Sequence, residues 1–329
     1  MITRRQLAQL IPAAALPLVP PLARPAIAQS ARVPEGPIRL VVPFPPGGPN
    51  DLVARVLGQK LGAVLDRNVV VENRSGAGGV IGTDNVAKAA PDGRSLCLTS
   101  AGAIAISPVL GAPMPFDVAK DLAPITLVAL MPEMLAVPTA LPVNSVAELV
   151  DYAKRNPGKL NYGSSGIGSM PHLAGEAFRA AAGIDITHVP YRGAAPAVTD
   201  LIAGQVQMMF ADIPAMLSQV QGGGLKPLAI ASGERTPLLP QTPTMAEAGV
   251  PVIADNWYGL VTSSKVPAPL QALLHDAAAK ALRDPDLVKS YGEQGARPVG
   301  GSQEEFRDFI AKESARWGEV GRRANITMD

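Results

Sequence analysis

Five connections in this chain gather small residues, hydroxyls and prolines where an apolar run gives way to a helical pattern. The first is Phe44-Pro45-Pro46-Gly47-Gly48-Pro49-Asn50-Asp51, in which the glycine pair lets main chain approach a ligand and Asn50 or Asp51 can cap the next helix. The others are Ser100-Ala101-Gly102-Ala103, Gly163-Ser164-Ser165-Gly166-Ile167-Gly168-Ser169, Tyr191-Arg192-Gly193-Ala194-Ala195-Pro196 and Ala211-Asp212-Ile213-Pro214. A turn opening a helix presents unpaired N–H groups and the positive end of the helix dipole, so the chemistry on offer is recognition of an anion, most economically a small carboxylate. Turns favour Gly, Ser and Pro for conformational reasons alone, so one such segment says little and several say more. The first turn and Gly163 to Ser169 carry most of the weight. Arg192 offers a planar donor fork to a carboxylate, and Asp212 suits a ligand ammonium or a helix cap, though solvation accounts for either equally well.

Catalytic arrangements are scarce. His172, His188 and His275 include no pair at metal-binding helical spacing, and Cys97 is alone, which excludes an internal disulfide and a thiolate metal site. Cys97 lies in an apolar run with no basic neighbour and reads as a buried structural thiol. Gly76-Ala77-Gly78-Gly79-Val80-Ile81 fails the dinucleotide fingerprint, because Ile81 stands where its third glycine belongs. No G-x-S-x-G elbow or Walker lysine occurs. Ser169 and His172 could pair as nucleophile and base, but a helix cap followed by a first-turn histidine is the commoner arrangement.

These turns need a scaffold, and 329 residues with 47% hydrophobic and 17% charged side chains can bury one large core or two ordinary ones. Lys and Arg number 29 against 28 Asp and Glu, with no basic tract interleaved with aromatics, so nucleic acid is not an expected partner. Strand-like runs at Ile38–Pro43, Val69–Glu72, Leu96–Thr99, Ile125–Ala129, Leu160–Tyr162, Ile186–Val189, Val206–Phe210 and Leu228–Ala231 alternate with helix-length segments. That rhythm predicts an α/β fold with largely parallel sheets. Ser145-Val146-Ala147-Glu148 and Ser302-Gln303-Glu304-Glu305 have capping-box spacing, the latter opening a long amphipathic helix to about Arg323. Trp257 to Val261 returns as a strand after a middle section with strands of its own. The expected organisation is therefore a discontinuous first lobe, residues 29–130 and 256–329, and a second lobe, 131–255, joined by two crossovers as a hinged cleft. Residues 1–28 read as an export signal: Arg4 and Arg5, an apolar run, and Ala26-Ile27-Ala28 at a small-x-small cleavage site. Thr3-Arg4-Arg5-Gln6-Leu7 suits a twin-arginine signal as well as an ordinary one. Removing the leader with Arg4, Arg5 and Arg24 leaves the mature chain slightly acidic, so net charge does not steer anions toward it.

The run Ile38 to Gly48 with Asp51, then Val69-Val70-Val71-Glu72-Asn73-Arg74, Gly76-Ala77-Gly78-Gly79 and Ala90-Pro91-Asp92-Gly93, closely resembles the Bug family of periplasmic solute receptors, which serve tripartite tricarboxylate transporters. The likeness continues through Lys159 to Gly166, His172 to Glu176, His188 to Gly193, Trp257-Tyr258-Gly259 and Pro298 to Gly301, nearly the whole mature chain. It implies a two-lobed type II periplasmic-binding-protein fold with a hinged inter-lobe cleft, and a monomer that closes on a small organic carboxylate and delivers it to large and small integral membrane subunits. It implies no catalysis, cofactor or metal. By that resemblance the ligand meets Phe44, Gly47, Gly48, Asn50 and Asp51 of one lobe and Ser164, Ser165, Gly166, Gly168 and Ser169 of the other. Ser100, Ala101, Tyr191, Arg192, Gly193, Ala194 and Asp212 assist.

Three departures from the family pattern shape the expectation. Pro49 and Asn50 replace a third glycine and a hydroxyl residue, Met170-Pro171 replace polar residues, and Ala211 precedes Asp212 where an acid often follows the phenylalanine. Two lost amide donors and an apolar surface predict a ligand with an apolar or aromatic body rather than a compact tricarboxylate. The rival readings are a same-fold receptor that presents its ligand to a signalling partner and a small-molecule enzyme on this fold.

Overall fold

Apolar, β-branched runs set down the parallel core of the computed structural model, which describes residues 32–328; the expected leader lies outside them. β1 (Ile38–Val42), β2 (Val69–Asn73) and β3 (Ser95–Ser100) pair in parallel with β1 in the middle. Between them run α1 (Pro49–Leu65) and α2 (Val80–Ala87). Val53, Ala54, Leu57 and Leu61 of α1 fall three and four residues apart and form one buried stripe against the sheet, the reason this segment is a helix. Pro49 occupies the first helical turn, where its missing N–H costs nothing.

α3 (Val118–Asp121) leads into β4 (Leu122–Pro138), followed by α4 (Val146–Arg155), β5 (Leu160–Ser164), α5 (Met170–Ala182) and β6 (Ile186–Pro190). Next come α6 (Ala194–Ile202), β7 (Met208–Asp212), α7 (Ile213–Gln221) and β8 (Leu225–Ile230). The chain then returns through β9 (Asp255–Ser263) and ends with α8 (Ala268–Leu282), α9 (Pro285–Glu293), β10 (Arg297–Gly300) and α10 (Gln303–Arg323). The capping box at Ser302 and Glu305 is present. At α4 the Glu148 carboxylate takes the N–H of Asn144 instead of Ser145, so that box is only half formed.

The fold is α/β as expected, but the sheet is mixed rather than largely parallel. β5 pairs in parallel with β6 and β7, whereas every partner of β4, namely β7, β8, β9 and β10, is antiparallel to it, as is β9 to β3. β4 is also far longer than the run Ile125–Ala129 suggested. Met131-Pro132-Glu133 looks like a strand end, yet the chain stays extended because its partners change there: Leu122 to Pro132 pairs with β9, and Glu133 to Pro138 with β7 and β8. No helix among the described residues is long and apolar enough to cross a membrane.

On one side of β9, Trp257 meets Phe306 and Phe309 of α10 edge-on, and the indole N–H groups of Trp257 and Trp317 both donate to Glu313. Gly259 is required by this packing, since a Cβ there would collide with Cζ of Phe306. Gly259→Ala should therefore cost about 1–3 kcal/mol by overpacking, read as a lowered thermal midpoint with an unchanged circular-dichroism spectrum.

Candidate functional site: turns at the carboxyl ends of the strands

The five expected turns follow the carboxyl ends of β1, β3, β5, β6 and β7, where an α/β sheet opens its crevice. Gly102 is where turns from the two parts of the sheet meet. A Cβ on it would lie 3.4 Å from the Gly78 carbonyl oxygen and 3.6 Å from that of Gly168. The Phe44 ring lies on the same side, 3.3 Å from where a Gly79 Cβ would stand. Ala101 and Ser100 are buried beside this contact, and Ser100 is in register with Tyr258 of β9. The structure thus gathers Phe44, Ser100, Ala101 and the Gly163 to Ser169 turn into one neighbourhood. A hollow of about 510 Å³ between α5 and α10 contains none of these residues; it is a groove between helices and not the place where the turns meet.

Hydrogen bonding separates the donors already spent from those still free. In the first turn Gly48 is the N-cap of α1 without a side-chain cap, and neither Asn50 nor Asp51 caps it. Asp51, 2% exposed, accepts from the Gly47 N–H, from Asn73 and, in a two-bond fork, from Nε and Nη2 on one edge of the Arg55 guanidinium. Burial pushes its carboxyl up, but those donors outweigh it and hold Asp51 below the usual carboxylate range. It is a clamp that shapes the turn. Asn73 completes the clamp by donating to the Phe44 carbonyl as well. Asn50 is the opposite case: it is 3% exposed, and both ends of its carboxamide lack a protein partner among the described residues.

The second turn is held by an imidazole pair that no helical spacing reveals. Ser164 Oγ lies 2.7 Å from His188 Nε2, and His172 Nδ1 accepts from the Gly168 N–H at 3.2 Å. The two rings stack with centroids 3.7 Å apart at 11°. Burial lowers His172 to about 3, helped by His188 and Arg179, and burial alone lowers His188 to about 4. Two neutral rings can stack this closely where two imidazolium ions could not. Ser169 is the N-cap of α5, as expected, yet its hydroxyl donates to the Gly166 carbonyl and makes no cap bond. Gly166 and Gly168 have φ of +133° and +72°, which explains the glycines of this turn, and Met328 packs where a Gly168 side chain would be. Met170 and Pro171 are buried with the core, so the apolar surface they were expected to offer faces inward.

The remaining residues divide. The Tyr191 N–H donates to the Ser164 carbonyl and the Gly193 N–H to that of Ser165, which ties the turn before α6, and Ala194 at its start, to the second turn. The Tyr191 hydroxyl donates to Asp200, and Arg192 is exposed with no hydrogen bond or ion pair among the described residues. Asp212 is buried; its carboxylate accepts from Tyr258 Oη at 2.7 Å and from Asn256 Nδ2 at 3.1 Å, instead of capping α7. Burial pushes Asp212 up to about 6 against the downward pull of Tyr258, Asn256 and Glu133. Glu133, wholly buried in β4, is raised well above the usual range by burial and by Asp212. Glu133, Asn256, Tyr258 and the histidine pair were missed from sequence. The one available signal was a lone acid inside the apolar run Met131 to Val137. Cys97 is buried with its thiol pushed up to about 12, an unreactive packing residue.

The family and the solved relatives that share this mixed α/β fold are periplasmic solute-binding receptors, not enzymes. The chain belongs to the tripartite tricarboxylate transporter family receptors, whose model matches residues 53–326. It is 38% identical over 297 residues to the protein BugT of Bordetella pertussis, covering 90% of this chain and 91% of that one. The R. palustris protein Rpa4515, solved with adipate, superposes with TM-score 0.84 at 35% identity over 88% of this chain and 97% of that one. MatC of Rhodopseudomonas palustris, solved with malate, gives 0.79 at 30% over 86% and 98%.

Because a folded-state pKa below the unfolded value makes the unfolded chain the better proton binder, the histidine pair contributes stability that is lost as pH falls below the ordinary imidazole range. At pH 5 the ring nitrogens of His172 and His188 should still show the ¹⁵N shifts of neutral imidazole, and an imidazolium signal from either would contradict the stacked geometry.

Proposed function

We propose that this receptor binds a small organic carboxylate in a hinged cleft between a first lobe, 29–130 with 256–329, and a second lobe, 131–255, and delivers it to the large and small membrane subunits of a tripartite tricarboxylate-type transporter. The observation that carries the reading is the meeting of turns from both parts of the sheet at Gly102, beside a helix start whose buried Asn50 has hydrogen-bonding capacity that the protein leaves unused. A carboxylate seated there is met by the first N–H groups of α1, which have no acceptor within the helix, and by the Asn50 carboxamide. Phe44 offers the surface for an apolar ligand body, in keeping with the adipate of one relative more than with a citrate-like tricarboxylate. Export to the periplasm, with the leader removed, and action as a monomer complete the reading. Asp51, Ser164 and Asp212 act here by shaping and joining the turns.

Native mass spectrometry of freshly purified protein should find a co-purified small acid. In competition, aliphatic or aromatic carboxylates with an apolar body should displace it better than citrate, and the reverse order would remove the predicted ligand class. Gly48→Val is sterically permitted, with φ of −80° and the new Cβ 3.6 Å from the Pro45 carbonyl, so the fold survives while the branched side chain crowds the anion site. Titration calorimetry should show at least a tenfold loss of affinity, about 1.4 kcal/mol, at nearly unchanged thermal midpoint. Ser164→Val, by contrast, should lower both, because His188 loses its partner.

A further inference from the structure

The strands that cross between the two parts of the sheet enclose a carboxyl pair that ligand binding does not explain. Glu133 and Asp212 are cross-strand partners in β4 and β7, at the point where β4 leaves β9. The Glu133 main chain lies in the same crossing: its N–H donates to the Ala254 carbonyl, and its own carbonyl accepts from Ala231. Its side chain is fully buried, and neither carboxylate oxygen has a hydrogen-bond partner among the described residues. Asp212, on β7, accepts from Tyr258 and Asn256 of β9, so its carboxylate bridges the segment that turns back with the second lobe to a strand of the first.

We propose that Glu133 and Asp212 share one proton and act as a proton-dependent latch on the hinge, favouring the closed form when the proton is held and the open form when it is lost. The inference rests on the two-lobe reading above. With the proton in place, the Glu133 carboxylic acid donates to Asp212, which then accepts three donors, from Glu133, Tyr258 and Asn256, and holds β7 against β4 and β9. Loss of the proton leaves two adjacent anions in a buried site, where repulsion and desolvation act together; opening draws Tyr258 and Asn256 of the first lobe away from Asp212 and lets water reach both carboxylates, which solvates the charges and screens their repulsion.

The surrounding charges do not offset this. On β9, Asp255 adds a third acid that acts on Glu133, while Asn256 and Tyr258 are directed at Asp212. Arg297 of β10 and Arg316 of α10 act on Asp255, as do Glu313 of α10 and the Ser232 hydroxyl after β8; Arg316 is also paired with Glu313 at 3.2 Å. No cation among the described residues forms an ion pair with Glu133 or Asp212. The sign follows: the closed fold binds a proton that the open and unfolded chains release, so closure and stability both weaken as pH rises through the pair's raised range.

The test needs no ligand. In ligand-free protein, the thermal midpoint should fall by several degrees between pH 5.5 and 8.5, and X-ray scattering should give a larger radius of gyration at the higher pH. Glu133→Gln keeps a donor toward Asp212 without a removable charge, and should abolish most of both changes. Identical pH profiles in wild type and variant would overturn the latch, as would a midpoint change without a change in radius. Should Glu133→Gln not fold, Asp212→Asn removes the same repulsion. In wild type, ¹³C-carboxyl NMR should show one glutamate titrating well above the usual ~4.3; all glutamates in the ordinary range would also overturn it. Loss of carboxylate binding with these titrations intact would sink the receptor reading and leave the latch standing.

Discussion

The shared pairing of β4 and β9 is the constraint from which the remaining architecture follows. Their antiparallel register runs from Leu122 opposite Ser263 to Pro132 opposite Asp255, and β4 then continues without a break into pairing with β7 and β8. One strand thereby belongs to both parts of the sheet, and the turns at Phe44, Ser100, Ser164 and Tyr191 take their relative positions from it. Parallel units on either side deliver their carboxyl ends to a common region because each helical crossover returns the chain in the same sense. The helices fix the outer faces. α1 and α8 cover one side through Leu57, Leu61 and Leu274, and α10 covers the other through Phe306 and Trp317.

Much of the turn architecture was legible because tight turns and helix starts leave a compositional trace. Gly47-Gly48, Gly166 and Gly168 mark where the chain turns sharply or takes positive φ, and those features are local. The roles of the polar side chains were not legible, because each depends on which strands become neighbours. Asp51 and Asp212 are both acids in expected turns, yet Asp51 is neutralised by an arginine one helical turn away, whereas Asp212 is held by residues 44 and 46 positions along the chain. His172 and His188 lie on a helix and a strand, and only the packing of α5 on β5 and β6 stacks them. β4 was truncated in the reading for a related reason: burial on both faces erases alternation, and Pro132 imitates a terminus.

Internal hydrogen bonds decide which of the expected contacts remain open to a ligand. Gly168 N–H, Ser164 Oγ, Ser169 Oγ and the Asp51 carboxylate are all committed within the protein, so they define the shape of the site more than its affinity. Among those left open are the opening N–H groups of α1, the Asn50 carboxamide, the hydroxyls of Ser100 and Ser165, and Arg192 at the surface. An inventory with few free charges suits a receptor that must release its ligand, since a fully paired buried ion pair is strong but slow to part.

The two titrating pairs pull stability in opposite directions, and their placement gives that opposition a structural meaning. The histidines sit under one turn and penalise the fold when protonated; the carboxyls sit at the strand crossing and penalise it when ionised. Between the range where His188 charges and the range where the carboxyl pair loses its proton, the imidazoles are neutral and the carboxyls share a single negative charge that Tyr258 and Asn256 meet. Binding turns and crossing strands are therefore ordered together over one window of pH, at its acidic edge by the imidazole stack and at its alkaline edge by the buried acids. On the hinge proposed above both matter, because a grip of the correct shape is of no use unless the strands beneath it close.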